Sequence, residues 1–74
     1  MKYGDIVRNK TTGKYGTVHY SMFGCSIHTY NEEENILAKT LGDRWENVEK
    51  DWEVCDMPEG YEWDKSGLYI RRIK

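Results

Sequence analysis

The opening of the chain carries the pattern that most constrains its fold: two short runs of strand-forming residues separated by a turn. The first run is Gly-Asp-Ile-Val-Arg at 4–8, and the second is Gly-Lys-Tyr-Gly-Thr-Val at 13–18. β-Branched and aromatic residues favour a pleated backbone, and Asn-Lys-Thr-Thr-Gly at 9–13 has the composition of a turn. This pattern predicts a β-hairpin at the start of a small, strand-rich domain.

Alternation of apolar and polar residues predicts further strands along the chain. The predicted strands are 5–9, 15–21, 25–30 and 52–55, with a helical turn at 47–51 and a second hairpin at 59–73. The chain has 74 residues, so we expect one domain over residues 1–74.

Residues 31–42 fit two interpretations. Asn31 is a good N-cap and Gly42 suits the position after a helix end, which together favour a short helix near 32–41. Alternating residues from Ile36 onwards would instead suit a strand. The helix is the favoured interpretation because its start and stop signals agree with each other.

The apolar residues of the predicted strands define the expected core: Val7, Val18, Ile27, Trp52 and Val54. Aliphatic residues are few, so the ten aromatic side chains must supply much of the buried surface. A core of this size usually contributes only ~3–5 kcal/mol to stability, so a partner or self-association would add stability.

The motifs G-D-I-V-R at 4–8, G-K-Y-G-T-V at 13–18 and W-E-V at 52–54 resemble those of the SH3-like small barrels, including the KOW-type group. The resemblance covers about residues 3–56, and the hairpin at 59–73 is an addition. It implies a mainly β fold: an SH3-like small barrel with one short helix and an added C-terminal hairpin. Such domains act mostly in binding and are common in small proteins of bacteria and their phages.

Charge is segregated along the chain although the net charge is only −2. Residues 1–30 carry a net charge of +3, residues 31–64 carry −9, and residues 65–74 carry +4. If the first and last strands lie side by side, the molecule has a basic and an acidic side. The alternative is an ordinary solvated surface, since charge distribution informs on partners rather than on fold.

A basic face is one candidate binding surface, formed by Arg8, Lys10, Lys14, Arg71 and Arg72. Its cations would neutralise phosphates, while exposed aromatic rings stacked on unpaired bases; the candidate rings are Tyr15, Tyr20 and Phe23. The acidic net charge argues against nucleic acid, because nucleic-acid-binding domains are usually strongly basic. The same aromatic rings would also anchor a protein partner.

An acidic face is a further candidate, formed by Glu32, Glu33, Glu34, Asp43, Glu46 and Glu49. It would imitate the charge of a nucleic-acid backbone and occupy a basic groove of another protein. Small phage-encoded inhibitors of bacterial defence systems often act in this way.

Catalytic and metal-binding patterns are weak in this sequence. Cys25 and His28 form a single C-x-x-H, without the second ligand pair that a zinc site needs, and we expect no metal and no cofactor. Cys25 and Cys55 are expected to be free thiols in a reducing cytosol. No membrane-spanning run or signal pattern is evident, so a cytoplasmic location is expected.

These observations favour a non-enzymatic binding module that acts through protein–protein contacts. An inhibitor that mimics nucleic acid through the acidic face and a nucleic-acid binder that uses the basic face are the alternatives. A homodimer is a further form of partnership to consider.

Overall fold

The alternation of strand-forming residues produces two antiparallel sheets in the computed structural model, which describes residues 1–31 and 36–73. The strands are β1 (Ile6–Asn9), β2 (Tyr15–Ser21), β3 (Gly24–Asn31), β4 (Ile36–Lys39), β5 (Trp52–Val54), β6 (Tyr61–Trp63) and β7 (Ile70–Arg72). A short helix, α1 (Trp45–Asp51), joins β4 to β5. The prediction of a mainly β chain is confirmed.

The larger sheet has the strand order β4-β3-β2-β1-β5. Its first four strands form a meander, and β5 returns after α1 to pair with β1, placing Val7 opposite Val54. β4 and β5 are therefore the two edges of this sheet. Within the described residues they do not pair with each other, so the sheet is open and does not close into a barrel.

The turn between β1 and β2 is held by the side chain of Asn9. Its Oδ1 atom accepts hydrogen bonds from the backbone N–H groups of Thr11 and Thr12, both at 2.9 Å. Gly13 then adopts a positive φ of 75° and donates its N–H to the carbonyl of Asn9. These contacts explain why the polar run predicts the hairpin correctly, because Asn and Gly supply what such a turn needs.

The prediction of a short helix near 32–41 is wrong where the structure describes this segment, because Ile36–Lys39 is strand β4. Asn31, the proposed N-cap, is instead the last residue of β3 and pairs with Ile36. The open edge of β3 supplies backbone partners over four residue pairs, which outweighs the local capping signals. Residues 32–35 lie outside the described residues.

The core lies on one face of the larger sheet, beneath α1. Its buried residues are Val7, Val18, Cys25, Ile27 and Val48, with Met1, Trp45 and Trp52 packed against them. Val7, Val18 and Ile27 are confirmed as core residues, and Trp52 is only half-buried.

The prediction of a buried Val54 is wrong, because 54% of this residue is exposed. Val54 faces the same side as its partner Val7, but β5 is an edge strand and no further strand covers it there.

The helix α1 begins at 45, two residues before the predicted helical turn, and ends as predicted at 51. Val48 is the buried residue of this helix, and it joins the core. The end of α1 is tied to the first hairpin, because Lys10 donates its backbone N–H to the carbonyl of Asp51 at 2.8 Å.

The C-terminal hairpin, β6 and β7, packs against the face of the larger sheet opposite the core. Ile70 is 4% exposed there, and the Tyr15 and Tyr61 rings lie 5.2 Å apart. The loop between β6 and β7 is closed by Asp64, whose carbonyl accepts from Gly67 N at 2.8 Å. The larger sheet is thus covered on both faces, by α1 on one and by this hairpin on the other.

Candidate functional site

One end of the larger sheet exposes four large apolar residues, which we call the apolar end. They are Tyr20, Met22, Phe23 and Leu41, exposed to 68%, 91%, 65% and 94%. Single exposed apolar side chains are common, whereas groups of large exposed apolar side chains mark interaction sites. This end of the sheet is therefore the candidate functional site.

Backbone pairing brings Leu41 to the turn between β2 and β3. Asp43 exchanges two backbone hydrogen bonds of 2.9 Å with Cys25 at the beginning of β3. The preceding Gly42 then lies so close to the turn that a Cβ atom on it would be 3.7 Å from Cδ2 of Phe23. Leu41 consequently stands beside the turn rather than on a separate surface.

The turn itself projects two apolar side chains because it is short. Ser21, the last residue of β2, pairs with Gly24, the first residue of β3, so Met22 and Phe23 occupy the two positions at the tip of the turn. Gly24 has a φ of 139°, and a Cβ atom on it would lie 2.8 Å from the carbonyl oxygen of Asp43. Glycine is required here by the close approach of the 43–45 backbone.

Aromatic contacts connect the apolar end to the rest of the molecule. The Tyr20 ring lies 5.0 Å from the Tyr3 ring and 6.3 Å from the Trp45 ring, measured between centroids. Tyr20 is thus held between the N-terminal turn and the first residue of α1. A side chain fixed in this way loses little conformational entropy on binding, which suits an interface anchor.

A cavity of about 520 Å³ opens beside the apolar end, on the sheet face away from the core. Its polar lining includes His19, Ser26, His28 and Lys39, and Tyr3 and Tyr20 also line it. The strand register explains this grouping, since His19 pairs with Ser26 and His28 pairs with Lys39 across neighbouring strands. Polar residues from three consecutive strands therefore meet in one cavity.

His19 links this cavity to the C-terminal segment. Its Nε2 atom lies 2.8 Å from the carbonyl oxygen of Leu68, which can only accept, so Nε2 is the protonated nitrogen. Thr17 donates its hydroxyl to the same oxygen at 3.0 Å. Both side chains are buried, and this shared carbonyl satisfies the hydrogen-bonding groups that burial would otherwise penalise.

His28 stacks on His19, with ring centroids 3.6 Å apart and an interplanar angle of 12°. Burial lowers the pKa of His28 below its ordinary value, and the nearby His19 and Lys39 lower the pKa further. His28 is therefore neutral at pH 7. An uncharged imidazole beside an ammonium group offers both a hydrogen-bond donor and an acceptor.

The predicted basic residues of the first hairpin have contacts within the molecule. Arg8 Nη1 lies 3.3 Å from Glu53 Oε1, and Lys10 Nζ donates to the backbone carbonyl of Glu49 at 3.1 Å. Lys14 is exposed on the same hairpin.

The two predicted basic residues of β7 are neighbours in the strand and point to opposite faces. The Arg71 guanidinium lies 5.4 Å from the Tyr30 ring centroid and 4.0 Å from Asp64 Oδ1. The Arg72 guanidinium lies 5.7 Å from the Tyr61 ring centroid. A phosphate-binding face that includes all five cations stays a prediction.

The predicted aromatic residues separate into two groups. Tyr20 and Phe23 lie together at the apolar end, whereas Tyr15 is half-buried against Tyr61 of the C-terminal hairpin. Tyr15 thus has a packing partner within the chain.

The predicted acidic residues fall partly outside the described residues, which exclude Glu32, Glu33 and Glu34. The Asp43 carboxylate accepts hydrogen bonds from Asn47 Nδ2 at 3.0 Å and Arg44 N at 2.7 Å, and these bonds lower the pKa of Asp43. Glu46 and Glu49 are exposed on α1, where Glu49 Oε1 lies 3.8 Å from the N-terminal ammonium. Asp43 thus also orders the first turn of the helix.

Sequence reasoning did not identify Met22 and Leu41 as binding residues, although they are the most exposed apolar residues of the apolar end. Met22 had a usable signal, because two apolar residues at the tip of a tight turn have no core to enter. Leu41 had none, since its position depends on the pairing of Asp43 with Cys25. The cavity was also missed, because it depends on the register of three strands.

No group of three or more His, Cys, Asp or Glu side chains in the described ranges is arranged to hold a metal ion. Cys25 and His28, which form the C-x-x-H of the sequence, lie on opposite faces of β3 because they are three residues apart. Within the same ranges, no helix has the length and apolar character needed to cross a membrane.

Comparisons of the chain with models of protein families, with curated proteins and with solved structures found no match. The candidate site therefore has to be interpreted from its own geometry.

Proposed function

We propose that this chain is a non-enzymatic binding module that recognises a protein through its apolar end. The observation that carries the proposal is the exposure of Tyr20, Met22, Phe23 and Leu41 at one end of the larger sheet. Aromatic rings and Met are enriched at the centres of protein interfaces, where charged residues are depleted. The apolar end contains both kinds of side chain.

Acidic groups on one flank complement this apolar centre. Asp43 lies two residues after Leu41, and Glu46 is exposed on the first turn of α1. Interfaces commonly have an apolar core with a polar rim, and rim charges mainly raise the association rate. The partner that fits this surface is a protein with an apolar cleft and basic residues at one side of it.

As part of the same proposal, we assign the larger sheet to the SH3-like small barrels. Domains of this class act mostly in binding, so the assignment agrees with a binding role. A four-stranded meander followed by a short helix and a strand that returns to β1 supports this assignment. The motifs at 4–8, 13–18 and 52–54, which carry the resemblance, lie on β1, β2 and β5 with the turns beside them.

The experiment compares proteins captured from extracts of the native host by three immobilised forms of the chain. The test variant carries Met22→Ser and Leu41→Ser. The matched control carries Leu68→Ser and Ile73→Ser, two other apolar residues that are 48% and 52% exposed. Both variants lose two exposed apolar side chains. They differ in which part of the surface loses them.

We expect the parent and the control to capture the same protein, and the test variant to bind it at least about tenfold more weakly, as for the loss of one or two interface anchors. Capture that is equal in all three forms would contradict the proposal. Capture that disappears after nuclease treatment would favour nucleic-acid binding through the basic residues instead. Loss of capture after Glu46→Gln and Glu49→Gln, with the test variant unaffected, would favour the acidic mimic.

A further inference from the structure

The cavity beside the apolar end gathers positively charged and protonatable groups without an acid to balance them. Lys39 and the imidazoles of His19 and His28 line it, and no Asp or Glu of the described residues does. Lys39 has no ion pair within the described ranges either. A proton bound by His28 would place a second positive charge beside Lys39, and an anion in the cavity would offset the repulsion between them.

The hydrogen-bonding capacity of the two imidazoles is also incompletely used. His19 uses Nε2 on the Leu68 carbonyl, which leaves its Nδ1 without a described partner. His28 makes a ring stack with His19 and no hydrogen bond within the described part of the chain. Protonated His28 would donate from both ring nitrogens, and Lys39 would donate up to three more bonds.

We propose that this cavity binds an oxyanion, a carboxylate or phosphate group, between Lys39 and the protonated His28. Ser26 supplies a hydroxyl donor at the base of the cavity, where it is 7% exposed. The Tyr3 ring packs against His19 at 5.3 Å and closes one side. A small anion can bind here whether or not the apolar end has a protein partner, so this proposal is independent of the proposed function.

Binding must be linked to protonation of His28, because the bound anion stabilises the imidazolium form. His28 is stacked on His19 of β2 and pairs with Thr17 of β2 on one side and Lys39 of β4 on the other. The Leu68 carbonyl from the C-terminal segment holds His19 in place, and the Tyr3 ring packs against His19. In the free protein, burial opposes the protonation of His28 and lowers its pKa, and the nearby His19 and Lys39 lower the pKa further. An anion reverses that balance, so affinity rises as the pH falls.

The test is an NMR titration of the full chain that follows the imidazole Cε1–H signals of His19 and His28. Sodium phosphate and sodium acetate are added separately at constant ionic strength, with acetamide as an uncharged analogue of acetate. The test variant is Lys39→Gln, and the matched control is Lys50→Gln, which removes an exposed lysine from the last turn of α1. Both lysines are exposed, so neither change disturbs packing.

We expect saturable shifts of both histidine signals with at least one of the two anions, and tighter binding at about pH 5.5 than at about pH 7.5. Lys39→Gln should weaken binding by about fivefold, the loss of one partly exposed charge contact, and Lys50→Gln should not change it. Saturation by acetate alone assigns a carboxylate ligand, and saturation by phosphate alone assigns a phosphate ligand. Shifts that do not saturate with either anion, that acetamide reproduces, or that are equal in parent and Lys39→Gln protein would overturn the proposal.

Discussion

Two buried polar residues, Thr17 and His19, show how single side chains decide the second face of the larger sheet. A strand with polar residues on one face normally presents that face to water. Here both side chains instead donate to the carbonyl of Leu68, which lies in the loop between β6 and β7. Their burial therefore depends on the C-terminal hairpin, and it cannot be predicted from the sequence of β2 alone.

His28 makes the stability of the fold depend on pH, and the lowered pKa gives the direction. Between its ordinary value of 6.5 and the lower folded-state pKa, the unfolded chain binds a proton that the folded chain does not. The free energy of unfolding should therefore fall as the pH decreases from 6.5 through the folded-state pKa. Urea denaturation at a series of pH values measures this dependence.

The comparison variant is His28→Gln, which keeps a polar side chain but cannot be protonated. It should have a flatter stability profile in this window. Asp43 also has a lowered pKa, but its ordinary value is 3.8. Its contribution to stability therefore changes only at lower pH, outside the window in which His28 is protonated in the unfolded chain alone. Parallel profiles for the parent and the variant would contradict the assignment.

At the scale of elements, the strands that pattern alone predicted are those whose two faces differ chemically. β2 was predicted with its observed bounds, because residues 15–21 alternate and a turn stands on each side. β4 was not predicted, because its residues fit a helix about as well as a strand. Pairing with the edge of β3 makes this segment a strand. Local sequence cannot express the availability of such an edge, which is created by other parts of the chain.

The C-terminal hairpin offers a matched pair of substitutions that measures how much its packing contributes. Ile70 is 4% exposed and Ile73 is 52% exposed, although both belong to the same short segment. We expect Ile70→Ala to lower the free energy of unfolding by about 2–4 kcal/mol and Ile73→Ala by about 0.5 kcal/mol or less. Chemical denaturation of both variants against the parent gives these values.

The difference between the two variants tests whether this hairpin is an integral part of the domain. If the hairpin were an independent appendage, the two substitutions would have similarly small effects on the main unfolding transition. A large effect of Ile70→Ala alone shows that covering the second face of the sheet is part of the cooperative fold.

At the scale of the whole molecule, the chain measures 34 × 21 × 20 Å, and five buried side chains of the described residues form the core cluster beneath α1. Alternation in the sequence indicated the approximate bounds of β1, β2, β3 and β5, whereas the candidate site required the structure. Tyr20 and Phe23 could be singled out in the sequence as aromatic, but Leu41 joins them through the pairing of Asp43 with Cys25. The site is made by contacts between distant segments, and neither composition nor spacing reports those contacts.

The two cysteines differ in burial, so an alkylating reagent should modify them at different rates. Cys25 is fully buried in the core and Cys55 only partly, and burial raises the pKa of both thiols. An alkylating reagent should therefore modify Cys55 first and reach Cys25 only when the whole domain opens. With ~3–5 kcal/mol of stability, the second modification should be about 10²- to 10⁴-fold slower than in the unfolded chain.

Intact-mass spectrometry would count these events directly as one and then two added groups per chain. A Cys55→Ser variant should show the slow step alone, and equal rates for both thiols in the parent would contradict the buried position of Cys25. Any ligand that binds only the folded chain would slow the second event by a factor of one plus the ratio of the free ligand concentration to Kd. The rate at which Cys25 is modified therefore reports the binding of a partner without any label on that partner.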